Sequence, residues 1–284
     1  MDNHRLTIKM TKTFKFDIVA ARKRCLNYRR RILDVSQQVS ALHGAGAFSA
    51  LEMVDCIYHG LMRGKPSIDS LDTFIISKGH GCMSQYVVLE DLGILEKRDL
   101  DLYCKVGGRL GCHPDYGNPG IEASTGSLGH GMALATGMAY ADSFIRKTGG
   151  VVYVVLSDGE FQEGSSWEAM MMAANLGVSN LVAMLDHNGF QSFGRTSETH
   201  PAFYPIREKI EAFGWGVEEV NGHDGEAIHS AVKSRKGIKP FLLIANTVKG
   251  KGVSFMENEP IWHYRSPNQN EYQRAVMELK EVIE

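Results

Sequence analysis

Apolar runs of strand length recur along the chain at residues 74–77, 151–156, 181–186 and 241–246. They are mostly continuous rather than alternating, as expected of parallel strands buried on both faces. Stretches with helical spacing lie between them, at 50–62, 83–92, 131–145, 167–175 and 226–235. Strands alternating with helices predict an α/β fold, with a largely parallel sheet flanked by helices on both faces. Residues 107–131 form a long Gly-rich stretch without strong periodicity, and loops of that length in compact domains are usually functional. No repeat, low-complexity tract or Pro/Ser-rich linker interrupts the pattern, so the expectation is one domain over 1–284, with a C-terminal tail after about Gly252. The basic clusters at 22–24 and 29–31 fall in a pattern with Ile18, Val19, Cys25, Ile32 and Val35. They read as a solvated or partner-facing side of a helix.

Composition narrows this picture. Hydrophobic content of 43% and charged content of 23% over 284 residues are globular values. A formal net charge of -2 gives no sign of a nucleic-acid surface. Five cysteines, an odd number without a CxxC pair, argue against a disulfide framework and a zinc knuckle. The opening MDNHRLTIKMTKTFKF lacks an apolar core of signal-peptide length, and no apolar run reaches membrane-spanning length. The expectation is a cytoplasmic protein in a reducing environment, without membrane or nucleic-acid partners.

Chemistry gathers where two of the apolar runs end. Ligands of open parallel sheets bind beyond the carboxyl ends of the strands. Asp158 ends one run and is followed by Gly159; Asn188, Gly189 and Phe190 follow the other. The connection between these runs has the length of one helical crossover, so they are candidate neighbours. A carboxylate, an amide oxygen and a backbone carbonyl near one point form an oxygen-only site suited to Mg²⁺, with positions left for phosphate and water. A cation there would also let a diphosphate approach Asp158. Taken singly, Asp158 reads as a helix cap and Asn188 as a turn residue. The pair, with Gly at both turns and Glu163 five residues on, favours a metal–diphosphate site.

The segments SDGEFQEG and LDHNGFQ resemble the thiamine diphosphate motif, in which GDG is followed about thirty residues later by Asn. ISKGHG, GCHPDYGNPGIEASTGSLGHGMALATGMA, LHGAGAFSALEMVD and TVKGKGVSFMENEPIWH resemble further segments of transketolases. The resemblance spans about residues 20 to 265. It implies the thiamine diphosphate-binding fold, with thiamine diphosphate and Mg²⁺ as cofactors. Asp158, Asn188 and the Phe190 carbonyl would hold the metal. Gly159 and His80 would lie near the diphosphate, Gly126 and Leu128 against the cofactor rings, and Glu163 in a carboxylate network at a subunit seam. His43, His80, His113 and His263 would line the substrate funnel. They would hold sugar hydroxyls and carry protons, since histidine titrates near neutrality. His4, His59, His130, His187, His200, His223 and His229 read as structural.

This sequence departs from the family pattern at Ser157, Cys112, Gly44, His130 and Tyr264. Ser157 is a small replacement on the cofactor side. The other four lie on the substrate side and point away from ordinary pentose-pathway sugars. The leading expectation is a transferase subunit that moves a two-carbon ketol unit from a ketose phosphate to an aldose. A second pyrimidine-binding chain would complete it in an α₂β₂-type assembly, because the sequence ends at Glu284 without room for that domain. The alternatives are another thiamine diphosphate enzyme, 2-oxo acid decarboxylating or acyl-transferring, and a non-catalytic scaffold. A nicotinamide-binding domain is a weaker reading, since HGAGAFSA follows no strand and lacks the third Gly.

Overall fold

The computed structural model describes residues 16–64 and 70–281. His4 and the N-terminal stretch read for a leader, Phe16 apart, lie outside them. The strands are β1 (Thr73–Ile76), β2 (Val152–Ser157), β3 (Leu181–His187), β4 (Gly216–Asn221) and β5 (Phe241–Asn246). The helices are α1 (Ile18–Ser36), α2 (Gly44–Cys56), α3 (Met83–Asp91), α4 (Lys97–Asp101), α5 (Gly131–Tyr140), α6 (Gly164–Leu176), α7 (Thr196–Thr199), α8 (Ile206–Ala212), α9 (Gly225–Ser234) and α10 (Gln269–Glu281).

The strands form one five-stranded sheet in the order β1-β2-β3-β5-β4, and every pairing is parallel. Side chains alternate between the two faces, as strand geometry requires. Phe74, Ile76, Tyr153, Val155, Val182, Met184 and Leu243 face a core shared with α1, α2, α3, α9 and α10. Ile75, Val152, Val154, Leu156, Ala183, Leu185 and Ile244 face a second core with α5, α6 and α8. Both faces are covered, which is why the strand sequences read as unbroken apolar runs.

The observed elements correct the sequence expectations in three places. Strand β4 is not among the expected runs. Its sequence, GVEEVN, is polar because it lies at a sheet edge, with Glu218 and Glu219 exposed. The residues after Gly252 are not simply a tail. A turn of 3₁₀-helix at Pro260–Tyr264 and then α10 follow, with Ala275 and Leu279 fully buried against the first core. The basic side of α1 is not wholly solvated or partner-facing either. Arg22 and Lys23 are exposed, but Arg24 pairs with Asp55 at 2.6 Å, buried Arg29 with Glu52 at 2.7 Å, and Arg31 with Glu90 at 2.8 Å. These pairs tie α1 to α2 and α3.

Two predicted helices change character near their ends. The α2 pattern continues as a π-helical turn at Ile57–Leu61, and α5 continues as another at Ala141–Ile145. Among the described residues, no helix is long and apolar enough to cross a membrane.

Candidate active site

The parallel order brings the carboxyl ends of β1, β2, β3 and β5 to one edge of the sheet. Ser157 of β2 stands in register with Asp186 of β3, and His187 with Asn246 of β5. The chain after β1 supplies Lys78 and His80. The turn after β2 supplies Asp158 and Gly159, the turn after β3 supplies Asn188 and Phe190, and the loop after β5 supplies Lys249.

A cavity of about 310 Å³ lies above these ends, within the ~300–1,000 Å³ range of small-molecule sites. His43, His80, His113, Gly126, Leu128, Gly159, Glu163, Asn188, Phe190 and His263 all line it. Asp158 lies buried beside it, 1% exposed. The expected site residues are therefore brought together. A larger cavity of about 700 Å³ opens beside α1, where Arg29 and His223 are already paired with Glu52. It lacks the convergence of strand ends that marks the smaller one.

Asp158 accepts hydrogen bonds from His187 Nδ1 and from the Gly189 N–H, each at 2.5 Å. Burial pushes the Asp158 carboxyl above its usual range, against the pull of these donors. For His187 burial acts downward, but the bond to Asp158 outweighs it and raises the imidazole. His187 is thus more than a remote structural histidine; it touches the candidate metal ligand directly. Asn188 directs Nδ2 toward Asp186 Oδ2 at 3.2 Å, and its Oδ1 accepts the Phe190 N–H at 2.9 Å. Asp186 can only accept, so the amide orientation of Asn188 is fixed.

The donor set of one carboxylate, one amide oxygen and one carbonyl fits a hard cation such as Mg²⁺. Among the described residues there is no group of three or more His, Cys, Asp or Glu placed to hold a metal, so a softer ion has no comparable set. The cavity also fits a polar ligand. Ser157 Oγ and His43 Nδ1 are buried, line it, and lack hydrogen-bond partners, and such atoms in native proteins are ordinarily satisfied.

Four residues that sequence reasoning misses complete the site. Lys78 and Asp186, both fully buried, form an ion pair. The Lys78 ammonium also donates to Gly46 O at 2.8 Å, and Ser49 Oγ to Asp186 at 2.6 Å. Burial alone would raise the Asp186 carboxyl, but the Lys78 charge prevails and holds it below its usual range. Glu160, also fully buried, accepts from Ser77 Oγ and from the Gly129 N–H at 3.1 Å. Burial pushes it up to about 7. Lys249 donates to Gln191 O at 3.2 Å and to His263 Nδ1 at 3.0 Å. Burial, and then the Lys78 charge, bring it down to about 8. The signal for Lys78 and Lys249 is present in SKGHG and VKGKG, but a lysine is read as solvent-facing until its buried partner is known.

The histidines form a cluster. Ring centroids of His43 lie 5.5 Å from His80, 6.1 Å from His113 and 5.2 Å from His263. Burial, reinforced by neighbouring cationic groups, lowers His43 to about 4 and His263 to about 3, and holds His80 well below its usual range. The expectation that these rings titrate near neutrality is corrected: the three are neutral at pH 7. Tyr264, a departure from the family pattern, packs on His43 with a 4.4 Å centroid separation. Glu163 is exposed at the cavity rim, and the Gly129 backbone approaches it so closely that a Cβ there would lie 2.5 Å from the Glu163 Cβ.

Comparison with known proteins agrees with this geometry. A family model described as "Transketolase, thiamine diphosphate binding domain" matches residues 21–276. The chain is 38% identical over 261 residues to one of the subunits of an apulose-4-phosphate transketolase from Phocaeicola vulgatus, covering 90% of this chain and 92% of that one. It is 34% identical over 258 residues to the 6-deoxy-6-sulfo-D-fructose transketolase subunit SqwG of a Clostridium species, covering 89% and 93%. The solved transketolase of Leishmania mexicana superposes with a TM-score of 0.84 at 27% identity, covering 92% of this chain but 41% of that one. The chain therefore spans nearly the whole of the subunit relatives and less than half of that solved enzyme. With the parallel sheet, the family match over most of its length and these relatives, the chain belongs to the transketolase family as a thiamine diphosphate-binding domain.

Proposed function

We propose that this chain is the diphosphate-binding subunit of a two-chain, Mg²⁺-dependent transketolase that moves a two-carbon ketol unit from a ketose phosphate to an aldose. The observation that carries this reading is the meeting of two chemistries in one cavity. Asn188 and Phe190, with Asp158 buried beside them, share a cavity with His43, His80, His113 and His263, which supports reading Asp158, Asn188 and the Phe190 carbonyl as an oxygen-only cation set. The whole chain is read as one domain, since strands drawn from Thr73 to Asn246 share one sheet.

Thiamine diphosphate, when bound, supplies the carbon nucleophile needed to cleave a bond beside a ketose carbonyl. The chain's own residues do the rest. The Asp158 set would hold the cation that neutralises the diphosphate, with Gly159 giving the backbone room to approach. Lys249, buried in the cavity wall, is a further cationic group for anionic oxygens. The neutral rings of His43 and His80 offer both a donor and an acceptor nitrogen to sugar hydroxyls, and His263 offers a donor. Lys249 donates to His263 Nδ1, so the His263 proton sits on Nε2, the other side of the ring. His113 is the proton carrier in this reading. Gly126 and Leu128 would pack on the cofactor rings, and Glu163 would face the seam with the partner.

The partner would be a pyrimidine-binding transketolase chain in an α₂β₂-type assembly. Both relatives are named as subunits, which supports a second chain. So do exposed apolar side chains on α5, the turn after it, and α6: Leu134, Phe144, Ile145, Met171 and Met172. The substrates in the relatives' names, one a sugar phosphate and one a sulfonated fructose, and the departures at Cys112, Gly44, His130 and Tyr264 favour an anionic ketose outside the ordinary pentose pathway. Five free cysteines support a reducing, cytoplasmic setting.

The test is calorimetry with Mg²⁺ and thiamine diphosphate on the assembled enzyme, with glycolyl transfer and CO₂ release from pyruvate assayed in parallel. Asp158→Ala should abolish Mg²⁺-dependent cofactor binding. Unchanged affinity would remove the Asp158 assignment. Pyruvate decarboxylation without ketol transfer would favour the 2-oxo acid reading.

A further inference from the structure

The loop after β5 carries Lys249 into the active site, and its backbone is fastened from outside the cavity. Lys249 is 2% exposed and donates to Gln191 O at 3.2 Å and His263 Nδ1 at 3.0 Å. The residues around it in the chain are tied one by one. The Val248 N–H donates to His223 Nε2 at 2.8 Å, and the Gly250 N–H to Ala45 O at 3.0 Å. Lys251 O accepts from Arg29 Nε at 2.9 Å. Two of these ties converge on Glu52, whose carboxylate accepts from Arg29 at 2.7 Å and from His223 Nδ1 at 3.0 Å. His223 lines the larger cavity beside α1, not the active-site cavity, and meets the loop from that side.

The turn after β4 puts His223 there. The Gly222 N–H donates to Asn246 O at 2.8 Å, which lays this turn on the end of β5. The approach is close: a Cβ on Gly222 would lie 2.4 Å from Thr247 Cγ2. The His223 N–H donates to Asn221 Oδ1 at 3.0 Å, and Asp224 caps α9 by accepting from the Glu226 and Ala227 N–H groups. The imidazole is left between a group that can only accept and one that can only donate. Burial acts upward on the Glu52 carboxyl, but the Arg29 charge outweighs it and holds it below its usual range, so Glu52 accepts. The Val248 N–H donates. The ring therefore carries its proton on Nδ1 and turns a bare Nε2 to Val248.

We propose that His223 is a positioning residue for the active site: as the Nδ1–H tautomer set by Glu52, it holds the Val248 amide and so fixes Lys249 against Gln191 and His263. It acts through the loop backbone, since its ring lies outside the cavity lining. The tautomer and the loop placement stand apart from the ketol-transfer reading; the effect on turnover rests on that reading.

The test uses the full chain with isotope-labelled histidine and follows the ring nitrogens by NMR. In the wild type, His223 should carry its proton on Nδ1 and His263 on Nε2. His223→Asn keeps a donor in the place of Nδ1 but leaves nothing to accept from Val248. His223→Gln sets an amide oxygen in the place of Nε2. In His223→Asn the Val248 amide should lose its protection from hydrogen exchange, and the His263 proton should spread over both ring nitrogens as Lys249 withdraws. Glycolyl transfer by the assembled enzyme should fall by up to about 10²-fold, the effect of a displacement of about 1 Å at a reacting site. In His223→Gln both NMR signatures should return to the wild-type pattern, with most of the turnover recovered. A wild-type His223 protonated on Nε2, an unmoved His263 tautomer in His223→Asn, or a His223→Gln that behaves as His223→Asn would each overturn the proposal. The first of these needs no substitution, so a variant that does not fold leaves the proposal open to refutation. If the wild-type assembly shows no glycolyl transfer while the tautomers respond as stated, positioning by His223 is supported and the ketol-transfer reading fails.

Discussion

Lys249 and His263 illustrate how burial sets the chemistry of single residues at this site. A lysine brought down to about 8 and a histidine lowered to about 3 lie 3.0 Å apart, so near pH 7 the proton resides on the lysine and the imidazole accepts from it. The same shift makes a stability prediction. In the unfolded chain His263 titrates near its ordinary 6.5, while in the folded chain it stays neutral down to about 3. Between those values the unfolded state binds the extra proton, so stability falls as pH drops through that window. Glu160, raised to about 7, runs the other way, losing its contribution as pH rises through that value. The comparison must therefore be between proteins at matched pH: His263→Gln should lose less melting temperature than wild type between pH 7 and pH 5. Equal losses would contradict the neutral assignment. His113 has a different part. His113→Ala should lower ketol-transfer turnover by roughly 10²–10⁴-fold, the range for one general acid–base group, with cofactor affinity nearly intact by calorimetry. Wild-type turnover would remove it from the mechanism, and lost cofactor binding would make it a shaping residue. The four funnel histidines are legible in the sequence because each stands in a Gly-rich, non-periodic context. The neutrality of His43, His80 and His263 is not, since it depends on burial and on the cationic groups that the fold gathers around them.

Among elements, the buried Lys78–Asp186 pair joins the end of β1 to the end of β3 across β2, and Ser49 binds α2 to the same carboxylate. Removing one partner of a buried pair leaves the other charge uncompensated, which costs about 3–5 kcal/mol. Asp186→Ala should therefore be strongly destabilised in urea titrations, and it should also free the Asn188 amide to rotate. The double variant Lys78→Met with Asp186→Leu should recover much of the stability but not the Asn188 orientation. A small loss in Asp186→Ala would mean that the pair is not the tie it resembles. The elements differ in how far their sequences announce them. The central strands are covered on both faces, so apolar continuity identifies them. Strand β4 is half covered at an edge, and Glu218 and Glu219 hide it. Helix α10 carries just a narrow apolar stripe, with Ala275 and Leu279 buried and Met277 56% exposed, so it reads as a tail until α1 is in position to receive it. The arginines of α1 mislead for a related reason: their acidic partners, Asp55, Glu52 and Glu90, belong to other elements.

For the whole molecule, the question is what covers the face of α5 and α6. Leu134, Phe144, Ile145, Met171 and Met172 are between 42% and 71% exposed, and Tyr140 packs on Phe144 with ring centroids 5.0 Å apart. A shallow apolar hollow lined by Ser127, His130, Leu134 and Met138 adjoins them, and Leu128, next along the chain from Ser127, lines the candidate active site. Leu134 lines the hollow next to the cavity, and in the two-chain reading a partner seated on α5 and α6 would bury the exposed side chains. Apolar surface left open beside polar groups marks an interaction site when it is contiguous. A charge introduced there should be tolerated by the isolated fold, because these side chains leave the core untouched, but should oppose association through the cost of burying it. Phe144→Asp with Met172→Lys should leave the circular dichroism and melting temperature of the isolated chain within a few degrees of wild type. The same variant should fail to co-purify with the pyrimidine-binding chain and should give no ketol transfer when the two are mixed. Two results would defeat this assignment. One is robust turnover by the wild-type chain alone with Mg²⁺ and thiamine diphosphate, which would dispense with a partner. The other is normal assembly by the charged variant, which would move the interface to another face of the molecule.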